Sequence, residues 1–370
     1  LLHQMDHQRI DEYINAKKNI QEIILNIIEK DSDSYEYNES YTDLTSLFKS
    51  EEFTENNEEL KMLICFISKI TKNRHRQKDF FKKIEDILNM IKDNIIKSFS
   101  NLEIFYFFKS NLRMILLLFQ NNILKIDKII YNYMAKKMPK KKSSRYFKYL
   151  YPEMKSFIDE EDLSYYEEEN SKIIDFEKKR QIGENESYLA EVIRNDSVEE
   201  FIIYVNKTNI SLSNTYINES IFETNAFLKD RTPTMIEYAA FYGSISIFQY
   251  LRLNKVDLKS SLWLYAIHSN CPELIHLLEE NHVIPYVETY EDCYKESIKC
   301  HHNEIAHYII DCLMPQEYNA QSEPISNYIY GYYNFSFMDI KSFDIKILYY
   351  LIKYDYCDLT KLFLSGQSKK

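Results

Sequence analysis

Six residues able to ligate a metal or act as nucleophiles, Cys293, Cys300, His301, His302, His307 and Cys312, fall within one 20-residue window. Thiolates and imidazoles are the ligands zinc takes in a tetrahedral set, so this window has the strongest claim to metal chemistry. Its spacing argues the other way. C-x2-C and H-x3-H pairs are absent, and the helical periodicity puts His301 at a turn, His302 at the start of the next helix, and Cys293 and Cys312 far out along the two helices. The cysteines therefore read as small apolar core residues and the histidines as the lining of a turn. No metal and no cofactor are expected.

Other candidate groups are equally isolated. Arg74-His75-Arg76 at a helix break could hold a phosphate or an acidic patch, although an exposed polar turn explains it as well. His268 and His276 stand eight residues apart, which suits a hydrogen bond better than catalysis. The carboxylates from Asp31 to Glu39 and at Glu279-Glu280 lack an acid/base partner. Phosphate loops, dinucleotide fingerprints, nucleophile elbows and H-E-x-x-H pairs are all missing. With only 4 Gly and 7 Pro in 370 residues, the turns that sandwiches and phosphate loops require cannot be built in number. No enzyme activity is expected, and no small-molecule substrate is implied.

The elements that would position these groups are helices. Ile10, Tyr13, Ile14, Ile20, Ile24, Ile27 and Ile28 recur at helical spacing and stop at Asp31-Ser32-Asp33-Ser34. Further helices are expected over Glu58 to Thr71 and Phe80 to Phe99. The segments Asn101 to Phe108 and Leu112 to Asn121, joined by Lys109-Ser110-Asn111, form a helical hairpin. The lysine-rich stretch from Lys136 to Arg145 reads as a solvated loop, with Lys140, Lys141 and Lys142 as a candidate import signal or phosphate contact. The densest negative run, Asp159 to Asn170, marks an expected boundary: an N-terminal helical domain over 1-158, an acidic linker over 159-180, and a repeat domain over 181-370.

The informative stretch is Thr234-Met235-Ile236-Glu237-Tyr238-Ala239-Ala240-Phe241-Tyr242-Gly243, followed by Ile247 and Leu251. It resembles the ankyrin repeat, with Thr234 opening the first helix, Ala239 and Ala240 allowing close helix approach, and Gly243 taking the left-handed turn. The frame recurs with Ala266 and Asn270, and again with Ser297 and His301. Looser copies lie at Leu189 to Val205 and Leu348 to Phe363. Ala239 to Ala266 is 27 residues and Ala266 to Ser297 is 31, against ~33 in a standard repeat. Together with Glu200-Phe201-Ile202, Ser220-Ile221-Phe222-Glu223-Thr224-Asn225, Ser261-Leu262-Trp263-Leu264-Tyr265-Ala266 and, upstream, Phe80-Phe81-Lys82-Lys83-Ile84-Glu85, these segments resemble a large ankyrin-containing family of unknown function expanded in parasitic protists. That resemblance implies a non-catalytic architecture, brings no established ligand, and implies continuation into more regular repeats, so that the chain reads as a fragment.

The expected fold is all-α, a helical-hairpin solenoid with degenerate ankyrin-like repeats in the C-terminal half. The expected function is a protein–protein interaction scaffold or adaptor, docking a protein partner through Tyr242, Tyr265, His268 and Tyr294 on an open helical face. The alternative is a regulatory module of a nuclear or nucleic-acid-associated complex using the loop 136-145. A net charge of -11 opposes binding to nucleic acid or anionic membrane. No run reaches the ~18 apolar residues of a membrane span. Six scattered cysteines and the lack of a signal-peptide pattern point to a cytoplasmic location, with a nuclear one as the other option.

Overall fold

Helix starts along the chain are fixed by polar side chains placed one residue ahead of an apolar period. Ser34, Ser100, Asn111, Asp159, Ser187 and Thr234 each accept a hydrogen bond from a backbone N–H in the first helical turn, a contribution of about 1 kcal/mol apiece. The computed structural model describes residues 2–50, 53, 56–77, 79–136, 145–286, 289–320, 322–340 and 345–367. Among them lie 22 α-helices and no strand, apart from one isolated bridge between Tyr216 and Thr234. The protein is all-α and rich in helical hairpins.

In chain order the helices are α1 (Leu2–Glu29), α2 (Tyr35–Phe48), α3 (Asn57–Asn73), α4 (Phe80–Met90), α5 (Lys92–Ser98), α6 (Asn101–Phe108), α7 (Leu112–Gln120), α8 (Lys128–Lys136), α9 (Arg145–Met154), α10 (Glu160–Ser171) and α11 (Phe176–Ile182). They continue as α12 (Tyr188–Arg194), α13 (Val198–Thr208), α14 (Met235–Tyr242), α15 (Ile245–Leu253), α16 (Leu262–Ser269), α17 (Pro272–Glu280), α18 (Glu291–Cys300), α19 (Asn303–Tyr308), α20 (Glu323–Gly331), α21 (Ile345–Lys353) and α22 (Cys357–Gln367).

Compactness divides the chain differently from the expected cut at 159–180. One unit comprises Leu1–Ile70, Arg76–Asn94 and Thr289–Lys370, and the other Thr71–His75 and Ile95–Glu288. The acidic run lies inside the second unit and is helical. Asp159 caps α10, Glu160, Glu161 and Asp162 occupy its first turn, where they complement the helix dipole, and Tyr166 is buried on its inner side. Carboxylate repulsion is thus outweighed by dipole and burial, which the charge count alone does not reveal.

The second unit contains three consecutive hairpins, α12–α13, α14–α15 and α16–α17. First helices pack on first helices, α12 on α14 and α14 on α16, while α13 packs on α15. Ala239, Ala240 and Ala266 are fully buried where these helices approach. Each hairpin turns through a residue in the left-handed region: Asp196, Gly243 and Asn270. A second set, Asn209, Lys255 and His282, follows the second helices in the same conformation. The turns also bind neighbouring hairpins together. Asp196 Oδ2 and Oδ1 accept from the Ser246 and Ile247 N–H groups at 3.0 and 2.9 Å, capping α15, and Ser244 Oγ donates to the Ile193 carbonyl at 2.5 Å.

In the first unit α1 is the central element and packs against α2, α4 and α22. Gln21 on α1 donates to the Tyr333 carbonyl at 2.5 Å and accepts from the Phe335 N–H at 3.3 Å, and Lys17 pairs with Glu59. The helices α18, α20 and α21 form a row in which each packs on the one before, with α19 and α22 as the second members of two hairpins. His301 and Asp355 occupy the left-handed turns of those hairpins.

Candidate interaction surface

Four aromatic residues expected on an open face lie elsewhere. In the second unit, Thr234 begins α14 with a reciprocal cap: its hydroxyl accepts from the Glu237 N–H while Glu237 Oε2 accepts from the Thr234 N–H at 2.8 Å. Tyr238, Phe241 and Tyr242, three and four residues apart, lie on one side of this helix. That side is filled by the chain itself. Phe227, from the irregular stretch between α13 and α14, sits 5.9 Å from Phe241, 4.9 Å from Tyr265 and 4.2 Å from His268, ring to ring. His75 meets Phe241 and Tyr242 edge-on at 6.1 and 5.2 Å.

His268 is 0% exposed, stacked against Phe241 at 5.0 Å, and Tyr265 is buried. Tyr242 is half-buried, and its position beside Arg194 is part of an internal polar cluster. Arg194 Nε lies 3.1 Å from Glu184 and its Nη1 donates to the Asn185 carbonyl at 2.6 Å and to Tyr238 Oη at 3.1 Å. Burial, with Glu184 next, pushes the Tyr242 phenol well above its ordinary value, and burial with the Glu237 carboxylate moves Tyr265 up to about 12. In the first unit Tyr294 is buried between Tyr318 and Phe337. The expectation of an accessible set Tyr242, Tyr265, His268 and Tyr294 is therefore corrected. In the second unit these residues are consumed by self-packing, because the loop returning from α13 carries Phe227 across Phe241, Tyr265 and His268.

Arg74 and Arg76, expected in an exposed turn, are also buried. The Arg74 carbonyl accepts from Asn225 Nδ2 at 2.9 Å, and Arg76 lies over the Phe81 ring at 4.9 Å. His268 and His276 make no shared site: His276 is exposed beside Glu279 at 3.2 Å, and His268 stacks within the aromatic cluster. Lys140, Lys141 and Lys142 lie outside the described residues.

The cysteine and histidine window belongs to the first unit. Cys293 and Cys300 are buried, Cys312 is exposed, and all six cysteines are free thiols. His301 Nε2 lies 2.9 Å from the Tyr332 carbonyl with its ring edge-on to Phe66, and His307 rests on Phe337 at 4.7 Å. Burial, then Asp292 and Glu296, raises the Cys293 thiol to about 12. A thiolate-selective reagent at about pH 8 is expected to modify Cys312 in the folded protein and Cys293 only after denaturation, since it is the thiolate that reacts. Peptide mapping that finds Cys293 modified first would contradict this burial.

The large apolar side chains that do face solvent include Ile129, Ile174, Ile203, Leu253, Ile284 and Tyr286 in the second unit and Tyr35, Ile345, Tyr349 and Ile352 in the first. Periodicity alone did not single them out, because an outward apolar residue has the same spacing signal as an inward one. Among the described residues no helix is long and apolar enough to cross a membrane. No protein-family model, curated protein or solved structure matches the chain.

Proposed function

We propose that the protein is a non-catalytic scaffold or adaptor of ankyrin-like helical hairpins that binds another protein. The observation carrying this reading is the recurrence of one turn geometry at the repeat interval: Gly243 and Asn270 close the first-helix turns 27 residues apart, and Lys255 and His282 follow the second helices at the same interval. Equivalent backbone at equivalent sequence positions, with first helices stacked on first helices, is the mark of repeat architectures, which work by presenting side chains along successive units. The filled groove moves the contact surface from the first helices to the second helices, the loops beyond them and the exposed helix α21. Six free cysteines accord with a cytoplasmic or nuclear setting.

Affinity purification with the whole chain as bait, followed by mass spectrometry, is expected to enrich a specific protein over a bait with a scrambled surface. Enrichment of no protein above that control would overturn the scaffold reading.

A further inference from the structure

The first unit holds an open cleft of about 370 Å³, inside the range of about 300–1,000 Å³ in which small-molecule sites fall. One wall is α1, which lines it with Asp11, Ile14, Asn15 and Lys18. These are positions i, i+3, i+4 and i+7, so they form a line along one side of the helix. The base is apolar and packed: Ile14, Phe335, Met338 and Ile340 border the cleft and are all buried. The remaining border comes from Tyr294 of α18, His307 of α19 and Ser336 in the turn after α20.

The α1 wall presents three polar groups in a fixed order. Asp11 is an exposed carboxylate and Asn15 an exposed amide, and neither side chain makes a hydrogen bond or ion pair among the described residues. Lys18 is partly exposed, and its ammonium lies 3.8 Å from Glu22 one turn further on, a loose surface pair. Asp339 also borders the cleft and already interacts elsewhere in the chain. At a rise of about 1.5 Å per residue, Asp11 and Lys18 stand about 10 Å apart along the axis, with Asn15 between them.

A carboxylate, an amide and an ammonium in that order complement a ligand with an ammonium, a peptide group and a carboxylate. The Asn15 amide can both donate to and accept from one peptide unit. Three extended residues span about 10 Å, the separation of the two charges, whereas a single amino acid spans about 3.5 Å and reaches only one of them. A polyamine would bring like charge to Lys18, and an internal stretch of a protein would leave both charges unmatched. We infer that the cleft binds a free, zwitterionic tripeptide in extended form, its N-terminus at Asp11 and its C-terminus at Lys18. Alternation of side chains along an extended backbone turns the middle one away from its neighbours and toward the apolar base at Phe335 and Met338. This site goes beyond the scaffold reading and is independent of it.

The test uses the whole chain and the peptide Ala-Leu-Ala with free termini, titrated by saturation-transfer NMR at about pH 7, where both end groups are charged. The peptide is expected to bind saturably with a Kd of about 1 mM or below. Acetylating its N-terminus or amidating its C-terminus is expected to weaken binding about fivefold each, the upper end for a solvent-accessible ion pair. Ala-Ala-Leu-Ala-Ala, too long for both ends to be met at once, is expected to lose about as much. Asp11→Asn is expected to remove the penalty for acetylation and keep that for amidation, and Lys18→Gln to do the reverse. Neither side chain is in the core, so both variants are expected to melt with the parent.

Absence of saturable binding, binding indifferent to either end group, or an acetylation penalty undiminished in Asp11→Asn would overturn the inference. Equal affinity for the five-residue peptide would do the same, since the distance between the two charges would then not be read. None of these results touches the scaffold reading, which is tested by the proteins that the whole chain enriches from a cell extract.

Discussion

Glu153→Ala is expected to lower the stability of the second unit by about 3 kcal/mol or more, the loss that follows when one partner of a buried ion pair is removed. Arg180 of α11 is 2% exposed, and its guanidinium is held by Glu153 of α9 in a two-pronged contact, Nη1 to Oε2 at 2.7 Å and Nη2 to Oε1 at 2.9 Å. Nη1 also donates to the Tyr149 carbonyl at 2.9 Å, and the Tyr149 hydroxyl returns a bond to the Arg180 carbonyl. Glu177 touches the same guanidinium but is largely in solvent, so it compensates only in part. The double replacement Glu153→Met/Arg180→Met is expected to recover much of the loss, since an apolar pair of similar volume needs no desolvation. Urea unfolding of Glu153→Met, Arg180→Met and the double variant gives the coupling directly. A Glu153→Ala midpoint equal to that of the parent would show that the pair contributes nothing.

Trp263→Ala is expected to be at least as damaging, about 3–5 kcal/mol, the range for removing a large aromatic side chain from a packed core. Trp263 is the one tryptophan of the chain, is 0% exposed in α16, and donates through Nε1 to the Val283 carbonyl at 2.6 Å. Its ring fixes where the chain leaves the third hairpin of the second unit. Trp263→Phe keeps most of the volume and is expected to lose about 1–3 kcal/mol, the cost of leaving a buried carbonyl without its donor. Thermal melts followed by circular dichroism rank the two variants. A Trp263→Phe melting temperature equal to that of the parent would mean that the indole nitrogen plays no part.

Much of the architecture is legible in local periodicity. The α1 stripe, the stop at Asp31 to Ser34, the α6–α7 hairpin, the Thr234 cap and the left-handed turns at Gly243, Asn270 and His301 all follow from spacing and from the few residues that tolerate those backbone angles. Phe80 to Phe99 reads as one helix, yet it divides at Ile91 into α4 and α5, a break with no Gly or Pro to announce it.

The candidate surface was far less legible. Phe227 lies in a stretch without period, and nothing near it in sequence says that it will cross Phe241, Tyr265 and His268. Long-range closure of this kind is invisible to patterns of three and four. The same limit explains Tyr349 and Tyr350, adjacent residues of one type, of which one faces solvent and the other stacks on Tyr330.

The threading of the first unit bears on how the polypeptide is made. Its α1 spans Leu2–Glu29, and one of the helices it packs on, α22, lies more than 300 residues later at Cys357–Gln367. During synthesis the part of α1 that meets α22 must wait until residues 357–367 have emerged, whereas the second unit is nearly continuous and can close as it emerges. Nascent chains stalled between about residue 290 and residue 340 would hold a finished second unit alongside an α1 that has met α2 and α4 but not α22, a stage at which chaperone capture and aggregation compete for the molecule.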